Sequence, residues 1–212
     1  MHIPDGFLNA GTMAGTAVVS AGGLANAVRI VGKNLGEKQV PLMGIMAAFV
    51  FAAQMLNFPV AGGTSGHFLG AALCAILLGP WAAVIILALV LIAQCFIFQD
   101  GGMLALGANI FNMGIIGGLG SYLLYRLGNK LMGDNLRSKM ISGYFAAWAS
   151  VVLAATAASL ELAISGASPL GVVLPAMLSV HVIIGLVEGA ITVSALALIR
   201  STRADLLELQ KA

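Results

Sequence analysis

All ten Lys and Arg residues of this 212-residue chain fall in three short groups: Arg29, Lys33 and Lys38; Arg126, Lys130, Arg137 and Lys139; Arg200, Arg203 and Lys211. The stretches between them are almost free of charge. Charged residues make up 8% of the chain and AVILMFWYC 60%, against about 25% and about 45–50% in soluble domains. Ten basic and eight acidic side chains cannot cover a soluble globule of this length, so lipid is the solvent for most of it. A net charge of +2 is too small to draw nucleic acid. Long runs of alternating polarity are absent, which excludes a barrel. Cys74 and Cys95 lie in apolar stretches, where a free thiol behaves as a small hydrophobe.

A helix needs roughly 20 apolar residues to cross a bilayer. The chain divides into such stretches at 7–31, 41–58, 65–79, 80–98, 102–127, 142–165 and 170–199. The third and fourth form one apolar run broken only by Gly79-Pro80. Cytoplasmic loops collect Lys and Arg, and the three cationic groups share one face only if 59–101 holds two crossings. The expectation is an all-α integral membrane protein: one transmembrane domain over 1–212, seven helices, the N-terminus outside and the C-terminus cytoplasmic. Gly79-Pro80 is then a cytoplasmic turn. The outer face carries residues 1–6, the loop from Asn57 to His67 with its Gly62-Gly63 pair, the turn Gln99-Asp100-Gly101-Gly102, and Ser165 to about Leu174. Gly11/Gly15, Gly66/Gly70, Gly114/Gly118 and Gly185/Gly189 have the spacing that lets helices approach closely in lipid.

The first two residues carry the chemistry. There is no basic n-region, so the N-terminus is not a signal peptide. His2 is too large for removal of the preceding methionine, so a free Met1 amine is expected. The amine and the His2 backbone nitrogen close a five-membered ring on a metal; that nitrogen and His2 Nδ1 close a six-membered one. Late divalent ions such as Ni²⁺ and Cu²⁺ can displace the amide proton, and square-planar nitrogen sites are their signature. Of the other histidines, His67 shares the outer face with His2 and is the natural fourth ligand. Ile3-Pro4-Asp5-Gly6 can turn the terminus back into the bundle. An exposed amine titrates at about 7.7–8.0, so metal binding is expected to weaken at mildly acid pH.

Met1-His2-Ile3-Pro4-Asp5-Gly6-Phe7-Leu8, Gly63-Thr64-Ser65-Gly66-His67, Phe98-Gln99-Asp100-Gly101-Gly102 and the late His181 with Glu188-Gly189 together resemble the CbiM/NikM family. These are the substrate-binding membrane subunits of energy-coupling-factor transporters for nickel and cobalt. The resemblance covers nearly the whole chain. It implies a seven-helix bundle with the N-terminus inserted, and metal in a square plane of the Met1 amine, the His2 amide and imidazole nitrogens, and His67. It implies as partners a scaffold membrane subunit, two cytoplasmic ATPases and a small accessory membrane subunit in a prokaryotic cell membrane. Pro4-Asp5 favours the nickel branch; a cobalt subunit supplying cobalamin biosynthesis is the alternative.

Further polar residues lie in or beside the apolar stretches. Glu161, His181 and Glu188 sit inside spans, where ionisable groups are functional candidates. His181 and Glu188, seven apart, share a helix face. A hydrogen-bonded network bracing the helices is favoured for them over metal passage. Asp5, Ser65, Asp100 and Asn109 are candidate supports of the site, and Asn109 and Asn112 serve equally well as bonds between helices. Asp100 suits cation attraction, orientation of a histidine, or a solvated turn. Met13, Met43, Met46, Met55 and Met113 read as gap-filling core.

No catalytic residues and no bound nucleotide are expected. Gly32-Lys33 is followed by Asn34 and lacks the first glycine of a phosphate loop, so uphill transport depends on partner ATPases. A metalloenzyme is disfavoured, since there is no His-Glu-x-x-His and a filled plane leaves no open position. A vitamin-binding subunit does not explain the terminal chelate. A self-sufficient secondary transporter lacks the repeat signature expected of it.

Overall fold

A computed structural model of the protein describes residues 1–208 except 35, 37, 38, 61–63 and 134. Lys38, Lys211 and the Gly62-Gly63 pair therefore lie outside the described residues. The helices are α1 (Ala10–Asn34), α2 (Gln39–Gln54), α3 (Ala71–Leu78), α4 (Pro80–Phe98), α5 (Leu106–Asn109), α6 (Ser121–Met132), α7 (Leu136–Ile164) and α8 (Leu170–Thr202). A π-helical segment, Ile110–Gly120, joins α5 to α6. Its flanking residues stay right-handed helical, so 106–132 is one continuous rod. A 3-10 turn follows at Ala204–Glu208.

Among the described residues the regular structure is all-helical apart from one small hairpin. Among the described residues, four helices are long and apolar enough to cross a membrane: α1, α4, α7 and α8. α2 is apolar but shorter. The stretch 65–79 is not one continuous helix. Only Ala71–Leu78 is helical, about 12 Å of rise against a hydrocarbon core of about 30 Å. The reason lies in what precedes it. Thr64–Gly66 pairs antiparallel with Phe58–Val60, and Gly70, at φ 75°, turns the chain into α3. Every residue from Ala71 to Leu77 is buried, so α3 is apolar because protein surrounds it.

Gly79 has φ 91° and separates α3 from α4, with Pro80 as the first helical residue of α4. That is the tight turn the sequence suggests, built from a residue free to take positive φ and one with no N–H to lose. At the other end of α4, Gln99 takes a left-handed conformation and donates its N–H to the Gln94 carbonyl. The chain thereby reverses and carries Asp100 and Gly101 back over the end of the bundle.

The glycine pairs divide by environment. A Cβ on Gly185 or Gly189 would meet the Trp148 or Tyr144 carbonyl at 3.0 Å, so α8 lies directly on α7. Gly66 and Gly70 are not helical; they belong to the hairpin and the α3 turn. Gly15 has nothing within 4 Å, and Gly11 meets only the side chain of Asn9. That pair therefore packs against no other helix of this chain. The glycine that does bring α1 inward is Gly107, where a Cβ would stand 2.6 Å from the Ala17 Cα. Ser20 of α1 also bonds the Gly107 carbonyl at 2.7 Å.

Gly107→Ala must push α1 away from α5. It is expected to lower the thermal midpoint in detergent, by an overpacking cost of about 1–3 kcal/mol. Gly15→Ala, adding its methyl to open space, is expected to leave the midpoint unchanged or slightly raised. Equal midpoints for the two variants would contradict this packing.

Candidate metal centre

The chain begins inside the bundle. Met1 and Ile3 are fully buried and His2 is 4% exposed. Four elements hold this terminus. Strand Thr64–Gly66 supplies Ser65, whose carbonyl and hydroxyl both accept from the Met1 amine, the hydroxyl at 3.0 Å. The same hydroxyl accepts from the His2 N–H at 3.2 Å, and Thr64 donates its hydroxyl to the His2 carbonyl. Asn109 brackets the Ile3 backbone, accepting from its N–H at 2.8 Å and donating to its carbonyl at 3.1 Å. The Gly102 N–H donates to that carbonyl too. Asp5 then fixes the exit of the segment, its carboxylate accepting from the N–H groups of Met103, Leu104 and Ala105.

His67, 1% exposed, meets His2 with ring centroids 4.5 Å apart and planes tilted by 31°. The outer nitrogens of both rings are already engaged. His2 Nε2 donates to Gln94 Oε1 at 3.0 Å, which leaves the lone pair on Nδ1. His67 Nδ1 donates to the Phe68 carbonyl at 2.6 Å, which leaves the lone pair on Nε2. His2 Nδ1 and His67 Nε2 are both buried with no hydrogen-bond partner. A ring nitrogen whose opposite N–H is pinned to an oxygen is the usual state of a metal-ligating histidine. The chelate formed by the amine, the His2 amide and an imidazole requires Nδ1 of His2, the nitrogen left free here.

Among the described residues no three His, Cys, Asp or Glu side chains gather as a metal cluster. What converges is two imidazoles with two main-chain nitrogens. Burial disfavours the charged forms of the Met1 amine and the His2 imidazole. It pushes the Met1 amine well below its ordinary 8.0, against the pull of Asp100. Burial, then the neighbouring amino-terminal charge, lowers His2 from 6.5 to about 3. The seated terminus therefore favours a neutral amine and imidazole at lower pH than an exposed tail would, while the His2 amide keeps its proton, donated to Ser65. Asp100, half-buried, is raised by desolvation and pulled back by the amine and Asn57.

The other candidate residues separate cleanly. Ser65, Asp100 and Asn109 join Met1, His2 and His67; Asp100 Oδ1 stands 3.4 Å from His2 Nδ1. Asp5 lies at the edge, capping 103–105. Asn112 is not at the centre: it donates to Glu161 at 2.7 Å, tying the π segment to α7. Glu188 accepts from the N–H groups of Leu69 and Gly70 at 2.6 and 2.8 Å, joining α8 to the start of α3. His181 Nδ1 donates to the Met177 carbonyl one turn back in α8. Gln94 is the participant that sequence reasoning missed. Its signal was a fully buried amide alone in the apolar run of α4, where an unsatisfied polar group is expensive. Gly101 is a second: a Cβ there would come 3.3 Å from His2 Cδ2.

Two imidazoles beside a buried amine inside an apolar helical bundle suit a membrane protein that handles a transition metal, and comparison with known proteins gives the class as transition-metal transport. Residues 2–206 match the CbiM family, described as the cobalt uptake substrate-specific transmembrane region. This chain belongs to that family, one of metal-transport proteins rather than enzymes. NikMN of Archaeoglobus fulgidus is 41% identical over 218 residues, covering 100% of this chain and 69% of that protein. The fused nickel transport protein NikMN of Rhodobacter capsulatus is 34% identical over 226 residues, covering 100% of this chain and 65% of that one. This chain thus spans about two thirds of its fused relatives. A crystal structure of a truncated transition metal transporter superimposes with a TM-score of 0.88 at 38% identity, over 95% of this chain and 99% of that one.

Seating is linked to pH, and the sign follows from the lowered values. The released amine titrates near 8.0 and released His2 near 6.5, whereas both are lower when seated. The released state therefore binds more protons, and acid favours release. Below pH 8 the seating constant of the metal-free protein is expected to fall about tenfold per pH unit, and more steeply below 6.5. Hydrogen exchange at the Ile3 amide, corrected for its intrinsic pH dependence, measures this. Protection that does not change between pH 8 and 5 would contradict it.

Proposed function

We propose that this protein is the metal-capturing subunit of an ATP-driven energy-coupling-factor importer, with Ni²⁺ as its cargo. The four ligands are the Met1 amine, the His2 amide nitrogen, His2 Nδ1 and His67 Nε2. The observation that carries this reading is the pair of buried imidazole lone pairs, each left free because its ring's other nitrogen is engaged. Four nitrogens in one plane suit a late divalent ion. Co²⁺ is the alternative cargo, favoured by the description of the family; Pro4-Asp5 in the terminal motif favours nickel.

In this reading the polypeptide crosses the prokaryotic cell membrane seven times. The rod over 106–132 makes one crossing, and the hairpin with α3 makes another together. The N-terminus faces outside and the basic ends face the cytoplasm. ATP is hydrolysed by two partner ATPases that act through a scaffold membrane subunit, with a small accessory membrane subunit alongside. The exposed small residues of α1, Gly11, Gly15, Gly22 and Ala25, support docking of a partner helix, because small side chains let backbones approach closely in lipid.

Untagged protein purified from nickel-supplemented cells is expected to carry one nickel per chain by elemental analysis, in a diamagnetic square-planar state. Placing one residue before Met1 moves the histidine to position three, where amine, two amides and imidazole fill the plane without His67. The buried amine leaves no place for that residue, so the extended terminus must leave its seat. Nickel binding is expected to persist while transport is lost. Normal uptake by that variant, or an untagged protein free of metal, would overturn the reading. Gly22→Leu is expected to retain nickel but no longer copurify with the scaffold subunit.

A further inference from the structure

Most carboxylates near the outer end of the bundle are engaged with partners other than the candidate ligands, with one buried Glu161 oxygen left unpartnered. Asp5 accepts from three N–H groups at 103–105, Glu161 holds Asn112, and Glu188 holds Leu69 and Gly70. Asp100 differs. Asn57 steadies Oδ2 at 2.9 Å, while Oδ1 is turned toward His2 Nδ1 at 3.4 Å, a nitrogen with no hydrogen-bond partner. With His2 Nε2 donating to Gln94, that nitrogen carries a lone pair. A carboxylate oxygen thus faces a lone pair, a contact with no attraction of its own. A cation bound at that nitrogen would turn it into an attractive one. The Asp100 side chain is one-fifth exposed and His2's only 3%, so Asp100 stands between the dry centre and the outside.

The charge of the loaded centre points the same way. Resting on the nickel reading above, the dication brings +2 and the His2 amide nitrogen −1, its proton leaving to solvent. The amine and both imidazoles are neutral. One positive charge remains among side chains nearly closed to water, and a buried charge without a partner is strongly unfavourable. We propose that Asp100 is the counter-charge of the loaded centre and the rim group that draws divalent cations into it. The loaded centre is then neutral as a whole, which selects divalent cargo. Asp100 acts as a positioning and charge-balancing residue outside the ligand plane.

The test is stopped-flow and equilibrium Ni²⁺ binding to the untagged full chain in lipid nanodiscs, over a series of ionic strengths. Asp100→Asn keeps the shape and removes the charge. It is expected to weaken affinity about 10–100-fold, the range for groups that support metal ligands, through slower capture and faster release. Its association rate should depend less on salt, while the thermal midpoint of the metal-free protein stays unchanged. Asp205→Asn, an equal charge change in the C-terminal turn, should bind as wild type does. Asp100→Glu should recover most of the affinity, and it decides the matter if the asparagine variant does not fold. Wild-type affinity and salt dependence in Asp100→Asn would overturn the proposal. A wild-type protein that takes up no Ni²⁺ would instead overturn the nickel reading beneath it.

Discussion

A free amine enclosed in a dry bundle is the constraint on which this structure depends. Buried charge is expensive, and a buried polar group is tolerated only when its hydrogen bonds are made. The end of the bundle that holds the terminus answers both demands around Met1. Ser65 receives the amine and the His2 N–H, Thr64 holds the His2 carbonyl, and Asn109 closes on Ile3 from both sides. The hairpin, the turn after α4 and the start of the rod converge there because each supplies one of these partners. The same burial that makes an ammonium unfavourable favours the neutral amine, which is the form that binds a metal. In the proposed function the terminus is therefore both a plug and a ligand.

This arrangement explains why the apparent spans are unequal. α1, α4, α7 and α8 are long enough to face lipid along their length. The segment before α4 instead gives up helix to form a hairpin and a loop carrying Ser65 and His67 under the terminus, with Glu188 of α8 satisfying the freed N–H groups at Leu69 and Gly70. Irregular backbone at this depth is stable only where protein satisfies it. Glu188 meets that need, which gives an ionisable group inside α8 a structural reason to be there.

Much of this was legible in the sequence, and the remainder was hidden for definable reasons. Apolar run length located α4 to the residue, the end of α7 and the start of α8, but α7 begins six residues before the apolar stretch at 142–165, because its first turn carries Arg137 and Lys139. Hydropathy could not show that 65–79 is part hairpin and part short helix, because it reports that a side chain avoids water and cannot tell lipid from protein as the alternative. The π geometry of Ile110–Gly120 has no sequence signature of comparable strength. At the centre, Met1, His2 and His67 could be named from chelate geometry and rarity, there being only three histidines. Gln94 could not, because a lone amide in an apolar helix has many potential partners until the fold puts His2 beside it. Asn109 and Asn112, equivalent in sequence, were separated only by which of them reached Ile3.

The central claim is that the protein's own first residue and three further nitrogens form one ligand plane. X-ray absorption at the nickel edge of the loaded, untagged protein tests it most directly. The account predicts four nitrogen donors in a square plane, with neither oxygen nor sulfur in the first coordination sphere. A six-coordinate spectrum with oxygen donors would contradict it.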